Sequence, residues 1–339
     1  MRRVVVLGGR GFFGGAAAGL LRGMGVTPLI ASRGAGADVT ADAEDADSLR
    51  RALRPGDVVL DAAGPFQSRT DTLVRAACEV GFDVVDLADS LSYVEAVQRL
   101  SGDAERAGVR VLTACSTVSA VSAAFLALSG IDRPVRFTGA LVPATRHSAG
   151  GATAASLLGQ LGRPIRVFED GHLVETRGWG AARRIRLPSP AGEVRGRVFE
   201  TADALTLPAA YPTLRTVVTY VDPNAPGLGA MLRIASAAAP LRAFVAAASS
   251  VAMPLVRRVG STRGLVGCEI EGDDGRVVRM ALTAANRSYL VAVAPAALAV
   301  RALATDTFPA RGIIPPRQHV DPAELIGFLS TLGIRLIRE

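Results

Sequence analysis

The sequence predicts an α/β protein in which a doubly wound, parallel sheet is followed by a second α+β domain with a mixed, largely antiparallel sheet. Three observations carry this expectation. Short apolar runs alternate with helical segments over roughly the first 130 residues, the pattern of a parallel sheet covered on both faces. Beyond them the texture changes to longer strands with polar alternation. The length of 339 residues exceeds one ordinary core and suits two domains.

Taken in order, Val4–Leu7, Pro28–Ser32, Val58–Ala62, Val84–Leu87 and Val109–Thr113 read as short buried strands. Between them, Gly11–Met24, Ala46–Leu53, Thr70–Val80 and Tyr93–Ala107 place Leu, Val and Ala at helical intervals. Such alternation builds a doubly wound unit. A helix over Ser119–Leu128 then leads to strands at Val135–Val142, Arg183–Leu187, Leu214–Val221, Leu265–Glu271 and Arg276–Thr283. In Arg183–Leu187 the alternation puts Arg184 and Arg186 on one face and Ile185 and Leu187 on the other. Asp273-Asp274-Gly275 has the composition of a hairpin turn, so antiparallel pairing is expected there. The expected divisions are residues 1–120, residues 121–305 and a C-terminal segment, 306–339. There is no internal repeat.

Hydrophobic residues make up 49% and charged residues 20% of the chain, which suits a folded α/β protein. The formal charge of +7 comes from arginine alone, because the chain has no lysine, and the arginines are dispersed. Nucleic-acid binding would want a concentrated patch and is not expected; lysine-based catalysis is excluded. Cys78, Cys115 and Cys268 are too few and too far apart for a disulfide framework or a metal site. Met1 runs directly into a strand, and Gly-rich sequence follows in place of a cleavage pattern, so the expectation is a cytoplasmic protein without a signal peptide. The apolar run Ala243–Val256, about 14 residues with Pro254 inside it, is short of the roughly 20 needed to span a bilayer. Met231–Val259 reads as an amphipathic cover for a substrate cleft or a dimer interface.

The strongest chemical signal is Gly8-Gly9-Arg10-Gly11-Phe12-Phe13-Gly14, which satisfies G-x-G-x-x-G directly after a strand and at the mouth of a helix. Glycines there let the backbone turn tightly and approach a pyrophosphate, whose charge meets N–H groups at the positive end of the helix. The unit thus reads as a Rossmann-type dinucleotide-binding domain. At the end of the second strand an NAD-binding chain usually carries Asp or Glu for the ribose 2′-OH. Here the residues are Ala31-Ser32-Arg33, and Ser32 with Arg33 suits the 2′-phosphate of NADP. In the alternative, Arg33 is simply solvated and Asp38 or Asp42 takes the ribose of NAD.

Farther on, Asp61-Ala62-Ala63-Gly64-Pro65-Phe66-Gln67 ends a strand with small residues, and Ala63, Gly64, Pro65 and Phe66 fall where the cofactor's ribose and nicotinamide would lie. Together with Val84-Val85-Asp86-Leu87-Ala88-Asp89 and Thr113-Ala114-Cys115-Ser116-Thr117-Val118, these segments resemble the saccharopine dehydrogenase-like family. Arg177-Gly178-Trp179, the strand to Leu187-Pro188, Tyr211-Pro212-Thr213-Leu214-Arg215-Thr216-Val217 and Pro295-Ala296-Ala297 extend the resemblance, toward the family's bacterial branch, over nearly the whole chain. The resemblance implies an NADP-binding Rossmann domain, a mixed-sheet second domain that often forms a homodimer, and a C-terminal segment with a helix that returns to the first domain. It also implies an oxidoreductase. Known members include reductases that form or cleave secondary amines through an imine and enoyl reductases of lipid pathways.

Candidates for proton transfer are few. Asp89 falls at the carboxyl end of a parallel strand, where open α/β sheets bind ligands, and could exchange a proton with a substrate or serve as a helix N-cap. His147 and Arg146 fall in the Gly-rich loop Thr145–Gly151, where Arg146 could hold a substrate carboxylate and His147 act as a general acid, unless both are ordinary surface residues. His172 and His319 read as structural. Cys115 reads as a small buried residue or a wall of the cofactor pocket. The expected activity is hydride transfer between NADPH and a small-molecule imine, amine or related unsaturated carbon. The alternatives are an enoyl-type reductase of a lipid or polyketide pathway and a non-catalytic NADP-binding sensor or scaffold.

Overall fold

The computed structural model describes residues 1–34, 36–148, 151–224 and 227–339. The chain divides into two compact units, the first made of residues 1–121 and 292–321, the second of residues 122–291 and 322–339.

The first unit opens with β1 (Val4–Leu7), α1 (Phe12–Gly23), β2 (Leu29–Ser32), β3 (Val39–Thr40), α2 (Ala46–Ala52) and β4 (Val58–Asp61). It continues through α3 (Thr72–Val80), β5 (Asp83–Asp86), α4 (Leu91–Gln98), α5 (Ser101–Ala107) and β6 (Arg110–Leu112). The strands β1, β4 and β5 are buried at every position, as a sheet covered on both faces requires. Where one helix is expected over Tyr93–Ala107, there are two. The chain turns at Arg99-Leu100, where buried Leu100 anchors the break and its N–H bonds the carbonyl of Val97 at 2.9 Å.

The helix α6 (Ala120–Leu128) precedes the strands of the second unit, β7 (Pro134–Val142), β8 (Pro164–Glu169), β9 (His172–Arg177), β10 (Ala182–Arg186), β11 (Glu193–Phe199) and β12 (Thr216–Val221). Among them lie α7 (Thr145–Ser148), α8 (Gly151–Gly159) and α9 (Asp203–Ala210). Then follow α10 (Leu228–Ala237), α11 (Ala239–Val259), β13 (Leu265–Gly272) and β14 (Val277–Thr283). The chain ends with α12 (Ala294–Ala304), β15 (Gly312–Ile313), α13 (Pro322–Thr331) and β16 (Arg335–Arg338).

The seven-stranded sheet of the first unit has the order β15-β6-β5-β4-β1-β2-β3, and every pair is parallel. Strand order reverses between β1 and β4, which is the switch point where open α/β sheets bind ligands. In the second unit the path β10-β11-β12-β7-β13-β14-β16, with β8 and β9 attached to β12, is antiparallel except at β12 and β7. Arg184 and Arg186 face solvent around buried Ile185. The Asp273-Asp274-Gly275 turn joins β13 to β14 as expected, with Gly275 at φ 78°.

The C-terminal segment departs from the expected boundaries. The helix that returns to the parallel sheet is α12, buried on all sides and packed on α1 and β4, and β15 then pairs with β6. The final helix α13 and strand β16 belong to the second unit, because the apolar positions of β16 let it pair with β14 from Met280↔Arg338 to Thr283↔Arg335.

Candidate functional site

The loop after β1 is set by contacts that only glycine permits. Gly8 has φ +69°, and a Cβ there would stand 2.8 Å from the backbone of Ala62 and Ala63, so the loops after β1 and β4 touch at the switch point. A Cβ at Gly14 would lie 2.3 Å from the carbonyl oxygen of Gly8, so the first turn of α1 rests directly on the loop. At Gly11 the same atom would come only within 3.1 Å of Gly8 O. Gly11 is the N-cap of α1 and supplies no side-chain hydrogen bond. Phe12 and Phe13 meet edge to face at 5.2 Å. The Arg10 guanidinium donates to the carbonyl of Gly36.

The loop after β4 is held by a buried ion network. Asp61 accepts from Ala63 N at 2.9 Å, and Arg69 donates to Asp61 Oδ2 at 2.9 Å and to the carbonyl of Ala63 at 2.7 Å. Arg69 also donates through Nε to Glu44, which in turn accepts from the hydroxyl of Thr70 at 2.7 Å. Burial works against the charge of Arg69, but the carboxylates of Asp61 and Glu44 outweigh it, so its pKa is raised further. Phe66 packs beneath the guanidinium at 5.6 Å and against the Tyr93 ring at 5.2 Å. The result is a fixed turn of Ala63, Gly64, Pro65 and Phe66 beside the glycine loop.

The neighbouring strand β5 ends in Asp86, paired in register with Asp61. Asp86 is fully buried, and its Oδ1 accepts from Ala114 N at 2.7 Å and Ala88 N at 3.0 Å. Its backbone carbonyl accepts from Cys115 N at 2.8 Å. One residue thereby ties the loops after β5 and β6 together. Among the described residues Asp86 Oδ2, Thr113 Oγ1 and Tyr93 OH, all buried, have no hydrogen-bond partner. Burial pushes the Asp86 carboxyl up to about 7, aided by the charge of Asp61 and opposed by the two N–H donors. Tyr93 and the Cys115 thiol are raised well above their ordinary values, also by burial. Cys115 is therefore an inert thiol on the loop that follows β6.

Asp89 lies three residues beyond Asp86, half-buried, and accepts from Gln67 Nε2 at 3.0 Å. It does not cap α4: Ser90 is the N-cap and accepts from Tyr93 N. At the end of β2, Ser32 donates to the carbonyl of Gly34 at 3.2 Å and Arg33 is exposed. Asp38 accepts from Ile30 N at 2.8 Å, and Asp42 accepts from Glu44 N at 3.0 Å.

Ser32 thus closes β2, and the glycine loop, Arg33, the Ala63–Phe66 turn, Cys115 and Asp89 all follow strands of the parallel sheet, at its carboxyl edge. Arg146 and His147 belong to the second unit. Within the expected Gly-rich loop, of which residues 149 and 150 lie outside the described residues, Thr145–Ser148 is a helical turn, because its backbone and side chains are tied to the end of α11 and the segment after it. Ser261 N donates to the Thr145 hydroxyl at 3.1 Å, Arg146 N donates to Ser261 O at 3.1 Å, and the Arg146 guanidinium donates to the carbonyl of Arg258 at 3.0 Å. The His147 ring lies 5.7 Å from that of Tyr289, and its buried Nε2 has no partner among the described residues. His172 begins β9 after a turn in which Asp170 and Gly171 have φ 51° and 87°. His319 is buried against the carbonyl of Ile314 at 2.9 Å, and burial lowers its pKa to about 4.

Sequence reasoning did not single out Arg69, Glu44, Gln67 or Asp86. The ion pair of Arg69 with Glu44 spans 25 positions, and no spacing rule reveals it. Asp86 carried a readable signal, a carboxylate closing a parallel strand directly after the apolar pair Val84-Val85.

The architecture is a Rossmann-type sheet joined to a mixed-sheet unit. No protein-family model matches the chain. A lipid droplet localized protein of Caenorhabditis elegans is 35% identical over 78 residues, 23% of this chain and 18% of that protein. A probable mitochondrial saccharopine dehydrogenase-like oxidoreductase of Arabidopsis thaliana is 34% identical over 78 residues, 23% of this chain and 17% of that protein. The match thus spans less than a fifth of either relative's length. Apo saccharopine dehydrogenase (L-Glu forming) from Saccharomyces cerevisiae superposes with a TM-score of 0.63 at 14% identity, over 100% of this chain and 99% of that one. The fold is saccharopine dehydrogenase-like, as the resemblance implied.

Two outcomes test this geometry. Gly14→Ala should cost about 1–3 kcal/mol through overpacking against Gly8 O, while Gly11→Ala stays within about 1 kcal/mol of wild type. Equal midpoints for the two variants in chemical denaturation would contradict the packing of α1 on the loop. Asp86 concerns pH. Its carboxyl retains in the folded protein a proton that the unfolded chain, with its ordinary value of 3.8, releases. This residue therefore makes the protein lose stability as pH rises from about 4 to about 7, with no further loss above. Asp86→Asn keeps the acceptor for Ala88 and Ala114 and should gain on wild type steadily across that window in melting experiments; parallel curves would show that Asp86 is ionised throughout.

Proposed function

We propose that the protein is an NADP-dependent oxidoreductase that transfers a hydride between NADPH and a small-molecule imine, amine or related unsaturated carbon. The observation that carries this reading is the switch-point cradle. Gly8 and Gly14 admit no side chain because a Cβ would strike the neighbouring backbone, Gly11 puts no side chain at the mouth of α1, and no side chain caps that helix, so the residues fit a pyrophosphate at the helix N-terminus. The end of β2 favours NADP. It holds no carboxylate, Arg33 is exposed, and Asp38 and Asp42, the residues that could bind a ribose diol, already accept from backbone N–H groups.

Bound in this cradle, the cofactor would supply the hydride. The chain's own groups fix its surroundings: the Arg69 network holds the Ala63–Phe66 turn, and Asp86 joins the turn after β5 to the loop carrying Cys115. Asp89, oriented by Gln67 at that same edge, is the group we assign to proton transfer. Arg146 is committed to a helix-end carbonyl and His147 packs on Tyr289, which leaves them second to Asp89 for substrate binding and proton transfer.

NADPH should bind at least about tenfold more tightly than NADH, and Arg33→Ala should abolish most of that preference, since a lost guanidinium–phosphate contact is of that order. Calorimetry with both cofactors decides it; equal affinities in wild type would return the ribose to Asp38. Turnover of NADPH against imines, keto acids with amines, and enoyl thioesters identifies the substrate class, and binding without turnover on the whole panel would favour a sensor. With a substrate in hand, Asp89→Asn should lower turnover by about 10² or more and remove a limb of the pH profile. Retention of both rate and profile would clear Asp89 of proton transfer.

A further inference from the structure

The helices α7, α8, α10 and α11 of the second unit pack on one another, with α11 touching the other three. The inner face of this layer is a core of Leu161, Trp179, Leu232 and Ala235, with Leu228 and Val245 against it. The outer face is also apolar. Phe244 is 71% exposed, Ile234 58%, Met231 44% and Leu241 42%. Met231 and Ile234 are three residues apart on α10, and Leu241 and Phe244 three apart on α11, so each pair forms a stripe. A helix in water carries one apolar stripe and a polar opposite face; on these two helices large apolar side chains are also exposed away from the core.

The charge that these helices carry has one sign. The chain has no Asp or Glu from Arg133 to Phe168 or from Pro223 to Cys268, the stretches that contain all four helices. Arginine alone supplies their charge: Arg233 is exposed on α10 beside Ile234, and Arg146, Arg258 and Arg263 are exposed about the far end of α11, where the Arg146 guanidinium donates to the Arg258 carbonyl. We propose that the outer face of α10 and α11 docks on a lipid bilayer rich in anionic headgroups, with Met231, Ile234, Leu241 and Phe244 entering the acyl boundary, and with Arg233 and the arginines at the far end of α11 meeting lipid phosphates.

Charge complementarity selects this occupant over a second copy of the chain. A two-fold contact sets the same patch against itself, and here that would place arginine against arginine with no carboxylate from either side. An anionic bilayer supplies both the apolar phase and the countercharge. The layer rests on the surface and does not cross it, since no helix of the described residues is long and apolar enough to span a membrane. Nothing in this inference depends on the cofactor reading.

The test is flotation of the intact protein with vesicles of phosphatidylcholine alone and of phosphatidylcholine mixed with phosphatidylglycerol, at low and high salt. The expected result is binding to the anionic vesicles only, weakened by salt. The double variant Ile234→Ser with Phe244→Ser should lower partitioning by about tenfold or more, because two large side chains no longer leave water. Arg233→Gln with Arg258→Gln should weaken binding and flatten its salt dependence even if the serine variant folds poorly. Failure of wild type to float with anionic vesicles would overturn the proposal. So would a dimer in solution that the serine variant converts to a monomer, which would assign the face to a second copy.

Discussion

The first unit depends on the approach of two backbones. At the switch point the turn after β1 and the turn after β4 come so close that a Cβ on Gly8 would stand 2.8 Å from Ala62 and Ala63, and one on Gly14 would strike the carbonyl of Gly8 at 2.3 Å. Packing of that kind sets the height of α1 over the sheet. It also leaves the helix N-terminus facing outward between two loops with small side chains, a position where dipole and N–H groups attract an anion. A glycine-rich turn alone would be too mobile to keep this shape. The partner turn after β4 must be rigid as well.

That rigidity comes from buried charge. Arg69 is 6% exposed and Asp61 not at all, so neither can be left without the other; breaking such a pair costs about 3–5 kcal/mol because it strands a buried ion. A chain without lysine is suited to this arrangement. One planar guanidinium with five donors reaches Asp61, the Ala63 carbonyl and Glu44 together, which the point charge of an ammonium would not do in fixed geometry. On the next strand the opposite solution is used. Asp86 has no cation and is kept near neutrality by burial, its Oδ1 spent on two backbone N–H groups. Two carboxyls in register on adjacent strands are tolerated because only Asp61 has a counterion.

Much of this architecture was legible in the sequence. The parallel strands are continuous apolar runs, and the glycine spacing identifies the loop with its position between strand and helix. Where the reading fell short, the cause was local or long-range in identifiable ways. Val39–Thr40 is a two-residue strand, too short for any periodicity to register. The Thr145–Ser148 turn is helical because Ser261, Arg258 and Asn224 satisfy it from more than 70 positions away, information no local window contains. The cap of α4 falls on Ser90 and not Asp89: both residues are good caps and only the register of the helix decides. That one-residue difference matters, since it leaves the Asp89 carboxylate to Gln67 and the open edge of the sheet.

Placement of carboxylates explains more of the surface than placement of arginines. Cations are dispersed along the whole chain, so an arginine by itself says little; the informative places are those without acids. At the end of β2 the missing carboxylate removes the usual partner of a ribose diol, while Asp38 and Asp42 are turned to backbone N–H groups. Over α10 and α11 the same absence leaves exposed Arg233, next to exposed Ile234, without an acid on its own or the following helix. On the second sheet acids and arginines meet, as Glu269 does between Arg183 and Arg279. In a protein of net charge +7 the stretches without acids leave arginine as the available charge, and phosphate, on a nucleotide at the end of β2 or on a lipid at α10 and α11, is the group that we propose these two places meet.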